Sequence, residues 1–311
     1  MIENGGYRFA VKVGKPKDAE AVNNGTKLSR GANFRCLISS TPITPDYIKA
    51  EGNAGRMSTR LMAIVAEGER TRIYLPPTPE HETIDRHAKP DWMPEGFMVD
   101  DARAFTPTLY GLRSWRSVFT RRQLAALTEF SNLLGEATAR VIHDAVEAQV
   151  PENDEPLRDG GAGAAAYADA VRTYMAFSIS KAADRNTSLC VWEQKMDRLR
   201  GTFGRQAIPM VWDFAETNPF SGAGGDISGT TQSLCEVLDK FASYIVGSAT
   251  QDDAQTQSLS QDRVISTDPP YYDNVPYADL SDFFYVWLRR TLKQVFPELF
   301  ATLAVPKDQE L

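Results

Sequence analysis

The spacing of apolar positions changes several times along the chain, and each change predicts a different element. Residues 7–13, YRFAVKV, read as a strand. The run RLMAIVAEGERTRIYL, residues 60–75, predicts two strands joined by the glycine-containing link EGER. The following stretch, PPTPEHETIDRHAKPDWMPEG, residues 76–96, is proline-rich and predicts irregular chain over most of its length. Proline fixes φ and lacks an amide hydrogen, which disfavours regular structure.

From Thr120 the period becomes helical. Leu124, Leu127, Phe130 and Leu134 recur on one helical face within residues 120–149, with Thr120 as the N-cap. A polar, glycine-rich break at 152–163 precedes a second predicted helix over 164–184 and a third over 188–203, SLCVWEQKMDRLRGTF. QAIPMVWDF, residues 206–214, reads as a short strand that Pro209 confines to a sheet edge. A helix over 230–246, a polar loop, a short buried strand RVIST at 263–267 and a strongly apolar helix over 279–296, stopped by Pro297, complete the pattern. The organisation expected is a β-rich, basic region over 1–120, a helical region over 121–247 and a third region over 248–311.

The 311 residues, 42% of them hydrophobic, suffice for one large domain or two. No apolar stretch is long enough to span a bilayer, and the N-terminus lacks a basic stretch followed by an apolar core, so neither a membrane span nor a secretory signal is expected. Cys36, Cys190 and Cys235 lie far apart without CxxC spacing. That argues against a zinc ribbon built by this chain alone and fits a reduced, cytoplasmic setting. The net charge of −7 is unevenly spread: residues 1–120 carry 17 basic and 14 acidic side chains, residues 121–311 carry 17 and 27. The first region could therefore approach a phosphate backbone, whereas the remainder would need local patches. His81, His87 and His143 show no metal or triad spacing, and no metal site is expected.

The most informative stretch is STDPPYYDN, residues 266–274, placed between the predicted strand and the last helix. In open α/β sheets, ligands bind beyond the carboxyl ends of the strands. Asp268 offers a carboxylate that can accept a hydrogen bond from an exocyclic amine. Pro269 has no N–H, so its carbonyl can face a ligand without a competing donor. With Pro270 it fixes the backbone, so the acceptors are held in place before a ligand arrives. Tyr271 supplies a flat ring for an extruded base. Tyr272 divides between base contact and core, and Asp273 and Asn274 between the site and a cap for the following helix. Arg121 and Arg122, at a helix start, could meet phosphate or a carboxylate elsewhere in the protein. Their charge runs against the helix dipole, so a partner is expected. The alternative for the whole motif is a rigid turn joining strand to helix.

The motif Asp268-Pro269-Pro270-Tyr271 resembles the DPPY signature of amino-methyltransferases, which use S-adenosyl-L-methionine to methylate adenine N6 or cytosine N4. The leading aspartate is more usual for adenine enzymes. The segments STDPPYYDNVPYADLSDFFYVWLRRTL, PELFATLAVPK, FGRQAIPMVWDFAETNPFS, EGNAGRMSTRLMAIVAEGERTRIYLPPTPEHE and FTRRQLAAL are similar to the large adenine-specific DNA methylases that contain a zinc ribbon. The similarity runs over nearly the whole chain. It implies an α/β fold: a partial Rossmann-like methyltransferase core, in residues 248–311, with a large mixed α+β insert. It also implies S-adenosyl-L-methionine as cofactor and DNA as partner, with Asp268 and the Pro269 carbonyl holding the target amine. The same chemistry on cytosine N4 or RNA, or a non-catalytic DNA-binding role, are the alternatives.

NPFSGAGG, residues 218–225, imitates the glycine-rich cofactor loop, with Phe220, Gly222 and Gly224 in matching places. It is read instead as a decoy that leads into a helix. No strand precedes it directly, and too few strand–helix units separate it from the DPPY motif. On this reading the chain is an internal part of a methylase. It would bind cofactor poorly alone and would partner the upstream and downstream parts of a split enzyme.

Overall fold

The computed structural model describes residues 2–3, 6–193, 195–196, 198–241, 247, 249–250, 252–269 and 275–307. The chain divides into two compact units, Met1–Gly135 with Ala183–Glu216, and Glu136–Ala182 with Thr217–Leu311. Among the described residues there are seven α-helices and four sheets, each sheet a two-stranded antiparallel pair. The class is mixed α and β. No helix is long and apolar enough to cross a membrane among the described residues.

The first unit opens with β1 (Ile2–Glu3) paired to β2 (Gly6–Tyr7), then α1 (Ala19–Asn24), and β3 (Phe34–Arg35) paired to β4 (Pro42–Ile43). The strand predicted over 7–13 does not form beyond Tyr7. No ladder among the described residues takes in residues 8–13, and Val13 stays 92% exposed. Next, α2 (Pro45–Asn53) begins where Thr44 accepts from the Tyr47 amide, with proline in the first turn, where no amide hydrogen is missed. The predicted hairpin forms as β5 (Ile64–Glu67) and β6 (Arg72–Leu75), with Ile64 opposite Leu75 and Val65 opposite Tyr74. The proline-rich stretch is more ordered than its composition suggests. Its prolines fall at the edges of a helix-sized gap, and α3 (Pro79–His87) fills that gap.

Thr120 and Gln123 form a reciprocal cap: the Gln123 amide donates to Thr120 Oγ1 at 3.2 Å and the Thr120 amide donates to Gln123 Oε1 at 2.8 Å. This starts α4 (Arg121–Glu147), as the sequence predicts. Leu124, Leu127 and Leu134 face inward, and with Phe105, Trp115, Val118, Leu189 and Ile208 they are among the buried apolar residues of this unit. Each such side chain contributes roughly 1.5–3 kcal/mol over an exposed position.

The helix predicted over 188–203 is instead a hairpin, β7 (Val191–Glu193) against β8 (Arg198–Arg200). Tertiary hydrogen bonds override the local pattern. Thr202 Oγ1 donates to the Asp184 carbonyl at 2.7 Å and also meets Thr187 Oγ1 at 2.7 Å, both threonines being fully buried. Val191 further bridges to Phe214. Residues 206–214 enter no ladder among the described residues. They make single bridges only, the Ile208 amide donating to Ala104 O at 2.7 Å. Two glycines permit a backbone contact in this unit. A Cβ on Gly52 would lie 2.3 Å from the Tyr110 carbonyl oxygen, and Gly111 has φ +85° with the Gly52 carbonyl against it.

The second unit holds the later part of α4, most of α5 (Ala164–Asp184), α6 (Ile227–Leu238) and α7 (Tyr277–Leu292). Alanines at 164, 166, 168 and 176 are buried along α5, since a small side chain lets another element approach closely. Tyr285, Leu292, Val295 and Phe300 cluster with Ala176, and Leu288, Phe296 and Val305 pack on them. The carbonyls at the end of α7 are met by arginines: Arg172 Nε donates to Thr291 O at 3.0 Å and Arg158 Nη1 to Val295 O at 3.2 Å. The helix predicted over 230–246 starts earlier, at Ile227, because Asp226 accepts from the Gly229 amide at 2.8 Å; residues 242–246 lie outside the described residues.

Candidate functional site

The DPPY stretch is reached through residues 263–269, which are exposed and form no regular element. The short buried strand predicted at 263–267 is therefore corrected. Val264 is 101% and Ile265 64% exposed, and no ladder among the described residues takes up their backbone groups. Asp268 and Pro269 lie in this exposed stretch. Pro270, Tyr271, Tyr272, Asp273 and Asn274 lie outside the described residues. On the other side of the motif, Pro276 occupies the N-cap position of α7 and makes no side-chain cap.

The first turns of α7 carry a charged clamp that periodicity does not disclose. The Asp282 residue is 3% exposed. Its Oδ1 accepts from the Val305 amide at 2.7 Å and its Oδ2 from Lys307 Nζ at 2.7 Å. Lys307 Nζ also lies 2.8 Å from Asp279 Oδ1. Burial works against the ammonium, but hydrogen bonds to both aspartates outweigh it and raise the Lys307 pKa. One helical turn on, the Tyr285 hydroxyl donates to Thr302 O at 3.1 Å. Residues 299–307 are thus strapped along α7. The sequence signal was present: two aspartates three apart share a helix face, and Lys307 follows the helix.

Arg122 has a protein partner. Its Nε and Nη2 donate to the two carboxylate oxygens of Glu216 at 2.7 and 3.0 Å, and Thr120 Oγ1 donates to Glu216 Oε2 at 3.1 Å. Of the two readings for the arginine pair, Arg122 follows the carboxylate one, while Arg121 is exposed. The loop containing Phe220, Gly222 and Gly224 leads into α6. Phe220 is 73% exposed, its amide donates to Asn218 Oδ1 at 3.0 Å, and Gly222 has φ +70°. His143 lies beside Asp144 and Glu147 on the exposed side of α4, and the cysteines join no such group among the described residues.

The sequence did not point to an open apolar groove in the first unit, about 330 Å³ in volume. Tyr7, Phe34, Arg35, Cys36, Ile43 and Trp212 help to line it. Trp212 stands edge-on to Phe34, centroids 5.4 Å apart, and to Tyr110, 4.9 Å apart. The Arg60 guanidinium lies 5.0 Å from the centre of the Tyr7 ring. Hydrogen bonds from Ser39 lower the Cys36 thiol pKa, whereas burial raises that of Cys190. A smaller cavity of about 150 Å³ lies among Phe97, Met98, Asp100, Thr108 and Arg113. Neither cavity is lined by residues 218–225 or 263–269.

No family model, curated protein or solved structure matches the chain.

Proposed function

We propose that this chain carries the amine-holding element of a DNA amino-methyltransferase, with adenine N6 as the target. The observation that supports the reading is the exposed position of Asp268 and Pro269, at the head of a DPPY motif. A carboxylate and a carbonyl open to solvent can accept the two hydrogens of an exocyclic amine. Accepting both leaves the nitrogen lone pair free for methyl transfer. The Tyr271 ring is assigned to the face of the extruded base. The methyl group comes from S-adenosyl-L-methionine. The partial Rossmann-like core belongs to the same proposal and rests on the sequence resemblance.

A second reading is favoured by the exposure of Val264 and Ile265. Under it the chain is a non-catalytic, DNA-binding part of a split methylase, and another part of that enzyme covers these two apolar side chains. Nucleoside mass spectrometry of DNA from cells expressing the chain, with and without Asp268→Ala, tests the first reading. N6-methyladenine that depends on Asp268 supports it. N4-methylcytosine or a methylated RNA nucleoside in its place moves the substrate, and no Asp268-dependent modification in either polymer favours the second reading.

A further inference from the structure

We infer that the groove of the first unit is a stacking site for single-stranded DNA. The choice of DNA over other polyanions rests on the function proposed above. Two observations carry it. The first is the lining: Phe34 and Trp212, with Tyr7 beneath the Arg60 guanidinium, stand among Leu37, Ile38, Ile43 and Ile48 in an open groove, and Trp212 is 38% exposed in spite of its contacts with Phe34 and Tyr110. Aromatic rings in an open groove suit unpaired bases, since every base has a π-face.

The second observation is the charge around the lining. Residues 6–35 hold seven basic and two acidic side chains, within a protein whose net charge is −7. Arg35 itself lines the groove. Lys27 follows the lining residue Thr26, and its backbone bridges to Phe34. Lys27, Arg30 and Arg35 are exposed and make no ion pair among the described residues. The two acids lie on or beside α1, where Asp18 is occupied in capping the helix, accepting from the Ala21 amide at 2.9 Å. Aromatic side chains beside Arg35 and the neighbouring Lys27 are a combination that can follow a single strand: cations track phosphates while rings take bases. A hydrophobic peptide would not use these cations, and a duplex keeps its base faces stacked away from the rings.

The test uses the full chain and a dye-labelled oligothymidylate, read by fluorescence anisotropy at several salt concentrations. Binding is expected at low salt and to weaken as salt rises. Trp212→Ala and Phe34→Ala weaken it by roughly five- to a hundredfold, and Trp212→Phe retains most of it. The exposed substitution Arg35→Ala leaves the circular dichroism spectrum unchanged and lowers the logarithmic salt slope by about 0.7. The inference is overturned if the oligonucleotide does not bind, if Trp212→Ala and Arg35→Ala both bind normally, or if duplex DNA, an RNA strand or polyglutamate binds as tightly. Intact groove binding without any Asp268-dependent methylation would sink the proposed function and leave the groove standing; methylation without groove binding would do the reverse.

Discussion

Lys307 Nζ lies 2.7 Å from Oδ2 of Asp282, a carboxylate whose side chain is 5% exposed. Inside the second unit, both Asp282 carboxylate oxygens are satisfied, by the Val305 amide and by Lys307. A buried charge left without its partner is costly. Lys307→Met is expected to destabilise the protein by roughly 1–3 kcal/mol, measured by urea denaturation. Because the folded pKa of Lys307 is raised, its contribution is complete below the ordinary lysine pKa and is lost as pH climbs through the raised value. Wild-type stability should thus fall above about pH 10.4 through this group. Lys307→Met should lack that part of the fall, and an unchanged alkaline profile would contradict the clamp.

Arg122 and Glu216 should behave as a structural pair. Arg122→Ala and Glu216→Gln each lower the melting temperature. Together they cost less than the sum, with a coupling of about 0.5–2 kcal/mol in a double-mutant cycle. Additive effects would show that the bidentate contact carries no energy. Loss of DNA affinity in Arg122→Ala at unchanged stability would return the residue to a phosphate role.

Gly52 and Gly111 are expected to tolerate no side chain. Gly52→Ala sets a methyl group against the Tyr110 carbonyl and should cost about 1–3 kcal/mol, read as a shift in the denaturation midpoint. Gly111→Ala adds a left-handed backbone penalty to a similar clash. A neutral Gly52→Ala would mean that α2 does not press on the 106–110 turn.

Cys36 should be alkylated in the folded protein well before Cys190. Ser39 favours the thiolate at Cys36, while Cys190 is buried and disfavours its own. Peptide mass spectrometry after timed iodoacetamide treatment reads the order. Equal rates under native conditions would contradict the burial of Cys190.

The long helices are legible in the sequence because their cause is local. Leu124, Leu127 and Leu134 recur at helical spacing and form the buried face of α4, and Thr120 caps it as its residue type suggests. The hairpin β5–β6 is legible for the same reason, two β-prone runs meeting at Gly68. What the pattern misses depends on distant partners. The β7–β8 hairpin is held by Thr202 on the Asp184 carbonyl, and Arg122 finds its carboxylate 94 residues away. The stretch containing Val264 and Ile265 shows the converse. Its β-branched residues favour a strand, but a strand needs a neighbour, and none pairs with it among the described residues. Of the candidate site, the motif is legible as chemistry. The groove around Trp212 is not, because it joins the chain near Tyr7, the β3–β4 hairpin and residue 212, which are separated by most of the first unit's sequence.

The most direct measurement is nucleoside mass spectrometry of genomic DNA after Asp268→Ala is introduced at the chromosomal copy of the gene. Methyl transfer through the Asp268 carboxylate predicts loss of N6-methyladenine relative to the parent strain. An unchanged N6-methyladenine content would contradict it.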